Sequence, residues 1–159
     1  MALALADRSQ VIIDLALVHL RLVASMEGCA CNACQHFDGD FDADILARNR
    51  VGRPILVAYR RQTRYSYDTI TTRLTTDHGS SDSQVGKILA GKSLAHLHVQ
   101  SYGDHIVVVD AKGLRKALQS PTLWRCPEHG PTSIGGDGGQ TFVATCLGCM
   151  PGARVIRRP

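Results

Sequence analysis

The sequence predicts a small α+β protein made of three parts. Apolar residues recur at helical spacing near the N-terminus, and two short apolar stretches on either side of Tyr102-Gly103-Asp104 are typical of a β-hairpin. Near the C-terminus, two ligand-x-x-ligand motifs flank a glycine-rich segment, which predicts a metal-stabilised module. We therefore expect a helix with a cysteine cluster in residues 1–50, a helix-plus-hairpin domain in residues 51–120, and a metal-binding module with a basic tail in residues 121–159.

Composition favours a folded protein of the cytoplasm. The chain has 159 residues, of which 44% are hydrophobic and 20% charged, so it can form a core and global disorder is not expected. The apolar stretch near the N-terminus is interrupted by Asp14, His19 and Arg21, which excludes a membrane span and a signal peptide. In a reducing compartment, six cysteines indicate metal binding before disulfides.

The sequence of the N-terminal half predicts a helix, a second short helix and a strand. Ser9 can cap a helix over residues 10–25, and we expect residues 42–50 to form a short helix that Gly52-Arg53-Pro54 closes. We expect residues 55–60 to form a strand, whereas residues 67–76 are compatible with either a strand or a helix. The predicted buried face of the first helix consists of Ile12, Leu15, Ala16, Leu22 and Val23.

The central part reads as a helix over residues 82–94, strands over residues 97–101 and 105–109, and a last helix over residues 111–119 that Asp110 caps. Pro121 marks the predicted boundary with the terminal module.

A glycine turn, a helix, a hairpin, and a strand that ends in Asp110 before a leucine-bearing helix follow one another over residues 67–119. This order is similar to the winged-helix DNA-binding domain of the catabolite-activator family of bacterial regulators. The resemblance implies that residues 102–105 form the wing and that the recognition helix exposes Ser81, Asp82, Ser83, Gln84 and Lys87 to base edges and phosphates. The alternative is an α+β domain in which the helix and the hairpin simply pack together.

The terminal module carries the strongest metal motif. Two residues between ligands allow one tight turn to direct both side chains at one ion, and two such turns supply four ligands: Cys126, His129, Cys146 and Cys149. A glycine-rich loop and a strand-like Thr141 to Ala144 lie between them. Residues 124–150 resemble zinc ribbons and rubredoxin-like modules, which implies one structural Zn²⁺. Without metal, so small a segment would have too little core to stay folded.

A second cluster near the N-terminus comprises Cys29, Cys31, Cys34 and His36, and it predicts a second metal site. Three of these with a distant histidine, buried thiols, or an iron–sulfur cluster are the alternatives. The aspartates that follow, from Asp38 to Asp44, lack the glycine and the glutamate of a calcium loop, so we interpret them as a solvated acidic turn.

Six arginines and no acid lie between Arg48 and Arg64, and Tyr59 and Tyr65 lie beside them. Arginine beside tyrosine suits phosphate contacts and base stacking, although a solvated basic face would have the same composition. With the net charge of +4, this predicts a nucleic-acid-binding protein, with DNA as the favoured partner. The candidate contact residues are Arg48, Arg50, Arg53, Arg60, Arg61, Arg64, Ser83, Gln84 and Lys87, and Arg154, Arg157 and Arg158 form a basic tail.

We expect a small DNA-binding regulator, and two other functions stay open. One is an adaptor that docks on a protein of the transcription machinery. The other is a metal-dependent nuclease, because Asp110-Ala-Lys112 after an apolar strand resembles the acid-x-Lys half of a restriction-type nuclease core. His96-Leu-His98 resembles the histidine pair of rolling-circle nucleases, but no tyrosine follows Tyr102 to serve as their nucleophile. We expect no membrane contact, and the sequence does not determine the oligomeric state.

Overall fold

The computed structural model describes residues 5–26, 31–35, 42–62, 64, 66–75, 83–119, 125–126, 130–131, 134–137 and 140–159. The protein has a mixed α+β fold, as predicted. The helices are α1 (Leu5–Leu17), α2 (Asn32–Gln35), α3 (Gln84–Leu89) and α4 (Ala111–Gln119). The strands are β1 (Arg21–Ser25), β2 (Ile45–Arg48), β3 (Pro54–Arg61), β4 (Thr69–Thr75), β5 (Leu97–Ser101), β6 (His105–Asp110), β7 (Arg125–Cys126), β8 (Gly130–Pro131), β9 (Ile134–Asp137), β10 (Gln140–Cys146) and β11 (Arg154–Arg157).

A six-stranded sheet in the order β1-β2-β3-β5-β6-β11 organises the molecule. Strands β3 and β5 are parallel, and the other neighbouring pairs are antiparallel. The chain leaves the sheet after β3, forms β4 and α3, and returns through β5. All three segments that the sequence predicts as separate parts contribute strands, because β1 and β2 precede residue 51 and β11 follows residue 120.

The two faces of this sheet bury two different cores. One face packs against α1 through Val11, Leu15 and Val18, and β6 contributes Ile106 and Val108 to this core. The other face packs against α3, α4, β4 and β10, and β6 contributes Val107 and Val109. The apolar run of β6 is therefore explained by burial on both sides, as expected for a central strand.

A smaller sheet in the order β4-β10-β9 lies on the second face, and β7 pairs with β8. Strand β10 is antiparallel to β4, with Cys146 opposite Thr69. The backbone N–H of Leu147 also donates to the carbonyl of Asp68 (2.8 Å). These bonds attach the C-terminal cysteine motif to the start of β4.

The predicted long N-terminal helix is wrong in its second half. The helix ends at Leu17, and residues 21–25 form β1. His19 adopts a left-handed conformation (φ 62°), and the N–H groups of Leu20 and His19 bond to the carbonyls of Leu15 and Ala16. This is a Schellman ending, which glycine usually forms, so a histidine there hid the boundary. The predicted buried face is also wrong at three positions, because Ile12 is 49% exposed and Ala16 and Val23 are exposed too.

The predicted helix over residues 42–50 is wrong, because residues 45–48 form β2 in a hairpin with β3. Asn49 forms the turn between them: its side-chain oxygen accepts the N–H groups of Val51 (3.1 Å) and Arg53 (2.9 Å). Gly52 supplies the positive φ of 83° that this turn requires. Pairing with β3 and burial of Ile45 outweigh the local helical spacing.

The predictions around the second core are confirmed. Strand β3, the β5–β6 hairpin and α4 form where expected, and Asp110 caps α4 by accepting the N–H of Gly113 (2.6 Å). The predicted helix over residues 82–94 forms as the shorter α3, whose N-cap is Ser83. The ambiguous residues 67–76 form β4, so a strand precedes α3 where a winged helix would have its first helix. None of the helices in the described ranges is long and apolar enough to cross a membrane.

Candidate functional site

A groove of about 540 Å³ opens on the sheet face that lies away from α1. Its floor is formed by β3 and β5, and β4, α3 and the residues before β2 form its walls. The charged residues that line it are Asp42, Asp44, Arg60, Arg61 and Arg73, and the neutral polar ones include Thr71, Gln84, His98 and Gln100. Its volume is in the range of small-molecule sites, and its lining is unusually polar.

The floor is set by the pairing of β3 with β5. Ala58 lies opposite His98 in the parallel register, and its small side chain leaves space above the strands. Gln100 is held by β4, because its Oε1 accepts the hydroxyl of Thr71 (3.1 Å). His98 is 3% exposed, and burial lowers its pKa to about 4, so its imidazole is neutral at pH 7.

Two aspartates form the acidic side of the groove. Both carboxylate oxygens of Asp42 accept the side-chain amide of Gln84 (2.9 Å each), and Asp44 accepts the N–H of Tyr59 (2.8 Å). Burial raises the pKa of Asp42, although the bond from Gln84 and the charges of Lys87 and nearby arginines oppose that shift. Asp42 also has a positive φ of 56°, which is costly for a residue other than glycine and is common at functional sites.

Three arginines form the basic side. Arg60 and Arg61 end β3, and Arg73 lies on β4 in the other sheet. The Arg60 guanidinium lies 4.9 Å from the ring centroid of Phe142, which is a cation–π contact. The backbone N–H of Arg73 donates to Gln84 Oε1 (3.0 Å), so one glutamine connects the basic strand with the acidic wall.

The arginine run divides into two groups. Arg48, Arg50 and Arg53 lie at the β2–β3 turn, where Arg48 donates to the carbonyl of Gly52 (2.7 Å). Seven residues separate Arg53 from Arg60, so the two groups are about 23 Å apart at the usual rise of an extended strand. The structure therefore brings Arg60 and Arg61 to the groove and leaves the other three at the opposite end of the hairpin. Arg64 is exposed beyond the end of β3.

The predicted exposure of Gln84 and Lys87 on a recognition face of α3 is wrong. Gln84 and Lys87 are each only 8% exposed, and the Ser83 hydroxyl caps α3 by accepting the N–H of Gly86 (2.9 Å). Ser81 and Asp82 lie outside the described residues.

The predicted wing is also buried at both ends. Tyr102 and His105 are 2% and 1% exposed, and their rings stack at 4.8 Å between centroids. These side chains stabilise the hairpin and are not available to contact a partner.

The candidate nuclease residues do not reach the groove. Asp110 is engaged in the α4 cap, and Lys112 is exposed on α4. The two histidines of the predicted nuclease pair have different surroundings. His96 Nδ1 accepts the N–H of Leu56 (2.9 Å), while His98 faces the groove.

The structure describes the side chains of two of the four residues in each predicted metal site. Cys146 Sγ lies 3.2 Å from Cys149 Sγ, and Cys34 donates its backbone N–H to Cys31 Sγ (3.4 Å). Strands β7 and β8 pair Cys126 with Gly130 and so bracket the first motif of the terminal module. Cys29, His36 and His129 lie outside the described residues, and within the described ones no three potential ligands converge.

The groove was not found from the sequence because its residues come from separate segments. Arg60 and Arg61 were identified by the arginine run, and Gln84 by the predicted helix. Asp42, Arg73 and His98 carried no local signal for a shared site, since 30 residues lie between Asp42 and Arg73 and 24 between Arg73 and His98. Comparisons with protein-family models, curated proteins and solved structures found no match for this chain, so the function is argued from this geometry.

Proposed function

We propose that this protein binds nucleic acid, with the groove between β3, β5 and β4 as the surface that receives the phosphate backbone. The observation that carries the proposal is the convergence of Arg60 on β3 with Arg73, which lies on a different sheet. Guanidinium groups bind phosphate oxygens with two parallel hydrogen bonds, so they are the side chains best suited to this task.

The charge balance of the groove supports an anionic ligand. The lining residues include three arginines and two aspartates, which leaves one net positive charge around the groove, since His98 is neutral. The two sides of the groove also differ, because Gln84 engages Asp42 on the acidic side. The basic side, formed by the arginines, is left to face the ligand. The Arg60–Phe142 stack offers a flat surface of the kind on which unpaired bases stack.

The size of the groove favours a single strand or an extruded nucleotide over a duplex. A site of about 540 Å³ accommodates a ligand of nucleotide size, whereas a duplex needs an element that projects into its groove. A winged-helix mode is less favoured, because α3 has six residues and Gln84 and Lys87 are buried. We take DNA as the first partner to test.

A structural zinc ion in the terminal module is part of the proposal. Tetrahedral Zn–S bonds of 2.3 Å place two sulfurs about 3.8 Å apart, so Cys146 and Cys149 at 3.2 Å need to separate only slightly to share an ion. We propose that Cys126 and His129 complete this site, in the manner of a zinc ribbon. Because β10 pairs with β4, the ion would stabilise the strand that carries Arg73.

The cysteine turn formed by Cys31 and Cys34 near the N-terminus is also suited to zinc coordination. The bond from Cys34 N–H to Cys31 Sγ closes a Cys-x-x-Cys turn, and Cys29 and His36 are the proposed additional ligands.

The test is binding of fluorescent single-stranded and duplex DNA, measured by anisotropy across a salt series. Arg60→Gln with Arg61→Gln should weaken binding at least tenfold and reduce the log–log salt slope by about 1.5, since each phosphate contact on single-stranded DNA contributes about 0.7. Arg48→Gln with Arg53→Gln is the matched control, because it removes the same charge from the far end of the hairpin.

Equal losses in both double variants would contradict the groove as the binding surface and indicate diffuse charge attraction. If the wild-type protein binds neither DNA nor RNA at low salt, the function itself is wrong, and an adaptor role would be the one to pursue by co-purification with a protein of the transcription machinery.

A metal-dependent nuclease is a second candidate, and one observation favours it. Asp42 and Asp44 line the same groove as the arginines, so carboxylates that could hold a divalent cation would lie beside a bound phosphate. Magnesium-dependent cleavage that Asp44→Asn abolishes, while Asp110→Asn and Lys112→Ala retain it, would support this function. Absence of cleavage by the wild type with magnesium or manganese would exclude it.

A further inference from the structure

Two buried nitrogen atoms that face the groove have no hydrogen-bond partner among the described residues. They are Nε2 of His98 and Nε of Arg73. A buried donor without a partner is unfavourable, so native proteins rarely retain one without a reason. Here the two atoms line one cavity, although β5 and β4 belong to different sheets. A ligand that accepts hydrogen bonds from both would relieve the cost of each.

The chemistry of the two groups identifies that ligand as an oxyanion. The Nε of arginine is always a donor and carries part of a permanent positive charge. The neutral imidazole of His98 can carry its proton on Nε2 and donate it, because no described group competes for that atom. A divalent cation is disfavoured at this position, since the Arg73 guanidinium would repel it.

The surroundings explain why these donors are available. Ala58 lies opposite His98 and does not fill the space in front of the imidazole. The neighbouring polar groups are already engaged, since Gln100 Oε1 accepts from Thr71 and Gln84 bonds both Asp42 and the Arg73 backbone. Arg73 Nε and His98 Nε2 therefore have no described acceptor, and a bound ligand can supply one.

We infer that Arg73 Nε and His98 Nε2 form a subsite for the oxygens of one phosphate group on the floor of the groove. This inference rests on the proposed function, and it assigns the phosphodiester of a bound strand to these two donors. Free inorganic phosphate has the same oxygens, so the two sources must be separated by experiment.

The experiment follows the side-chain ¹⁵N signals of His98 and Arg73 in the ¹⁵N-labelled full-length protein. The probes are a dithymidine dinucleotide with one internal phosphodiester, inorganic phosphate, and sodium chloride at matched ionic strength. We expect saturable shifts of both Nε signals with the dinucleotide. If inorganic phosphate shifts both signals and the dinucleotide does not, the assignment to a nucleic-acid strand is overturned. If sodium chloride produces equal shifts, the subsite itself is overturned.

Variants distinguish the loss of a hydrogen-bond donor from a change in side-chain packing. His98→Phe keeps a ring but removes the donor, and it should weaken dinucleotide binding about tenfold, the effect of one hydrogen bond to a charged group. His98→Gln keeps an N–H donor and should lose less than His98→Phe. Arg73→Lys keeps the charge and removes Nε, so it should also lose about tenfold. Circular dichroism and the melting temperature verify that each variant is folded.

The two proposals fail in different ways. If Arg60→Gln with Arg61→Gln abolishes oligonucleotide binding but His98→Phe and Arg73→Lys bind normally, nucleic-acid binding stands and the phosphate subsite is wrong. If the wild type binds no oligonucleotide while inorganic phosphate shifts both signals, the oxyanion subsite stands and the proposed function is wrong.

Discussion

Replacement of Arg158 by methionine should destabilise the protein more than any other change in the basic tail. Arg158 is the second-last residue, yet its guanidinium forms an ion pair with Asp14 of α1, whose side chain is fully buried. The same guanidinium donates to the Ser101 hydroxyl and the Tyr102 carbonyl (2.9 Å each). The tail therefore connects α1 to the end of β5, and it is not a free basic extension at this position.

The magnitude follows from what Asp14 retains after the change. Removing one partner of a buried ion pair typically costs about 3–5 kcal/mol, because the other charge stays buried without compensation. Asp14 keeps hydrogen bonds from Tyr59 (2.7 Å) and Gln10 (2.9 Å), which places the expected loss near the lower end, about 3 kcal/mol. For a chain of this length, that corresponds to a decrease in melting temperature of about 6–12 °C.

Urea unfolding at neutral and acidic pH is the assay. Burial alone would raise the pKa of Asp14, but hydrogen bonds led by that from Arg158 outweigh it and lower the pKa below 3.8. In the wild type, Asp14 therefore contributes stability above pH 3.8, which is lost as the pH falls through the lower native value. In Arg158→Met, burial dominates and raises the pKa of Asp14 in the native state. The variant therefore loses stability as the pH rises. The difference between the two proteins should be largest near neutral pH and shrink in acid.

Two comparisons can refute this reasoning. Arg157→Met removes an exposed arginine that bonds Asp104 (3.2 Å), and a surface pair of this kind contributes at most about 1 kcal/mol. Asp14→Asn with Arg158→Met removes both charges and should be more stable than Arg158→Met alone. If Arg157→Met is as harmful as Arg158→Met, or if the double variant recovers nothing, a buried charge is not the cause.

Three further predictions concern metal, close packing and a buried acid. Elemental analysis should find zinc, Cys146→Ser should lose one equivalent, and chelation should lower the melting temperature; a metal-free protein that melts unchanged with chelator would contradict the zinc site. Gly113→Ala should cost about 1–3 kcal/mol, because a Cβ there would lie 2.2 Å from the carbonyl oxygen of Pro151, while Gly103→Ala has nothing within 4 Å and is the control for thermal unfolding. Because burial raises the pKa of Asp42, its protonated form is favoured in the native state, so the wild type should lose stability relative to Asp42→Asn as the pH rises from 4 to 7; parallel unfolding curves across that range would refute this.

The sequence by itself determined the features that depend on neighbouring residues. The Asp110 cap and α4, the β5–β6 hairpin and β3 could be predicted because caps, turns and apolar spacing act over a few residues. The predicted cysteine turns likewise rest on spacing alone.

Only the tertiary structure decided which distant segments meet. The first helix ends at Leu17 because residues 21–25 pair with β2, and residues 45–48 are extended because β3 lies beside them. Asp14 and Arg158 are 144 residues apart in the chain, and Arg73 reaches the groove on a strand paired to β10. Such contacts depend on which surfaces are buried together and in which register, and a local pattern carries no information on either. The groove is therefore a product of packing between separate segments, whereas β3, β5 and α3, which line it, follow mainly from their own residues.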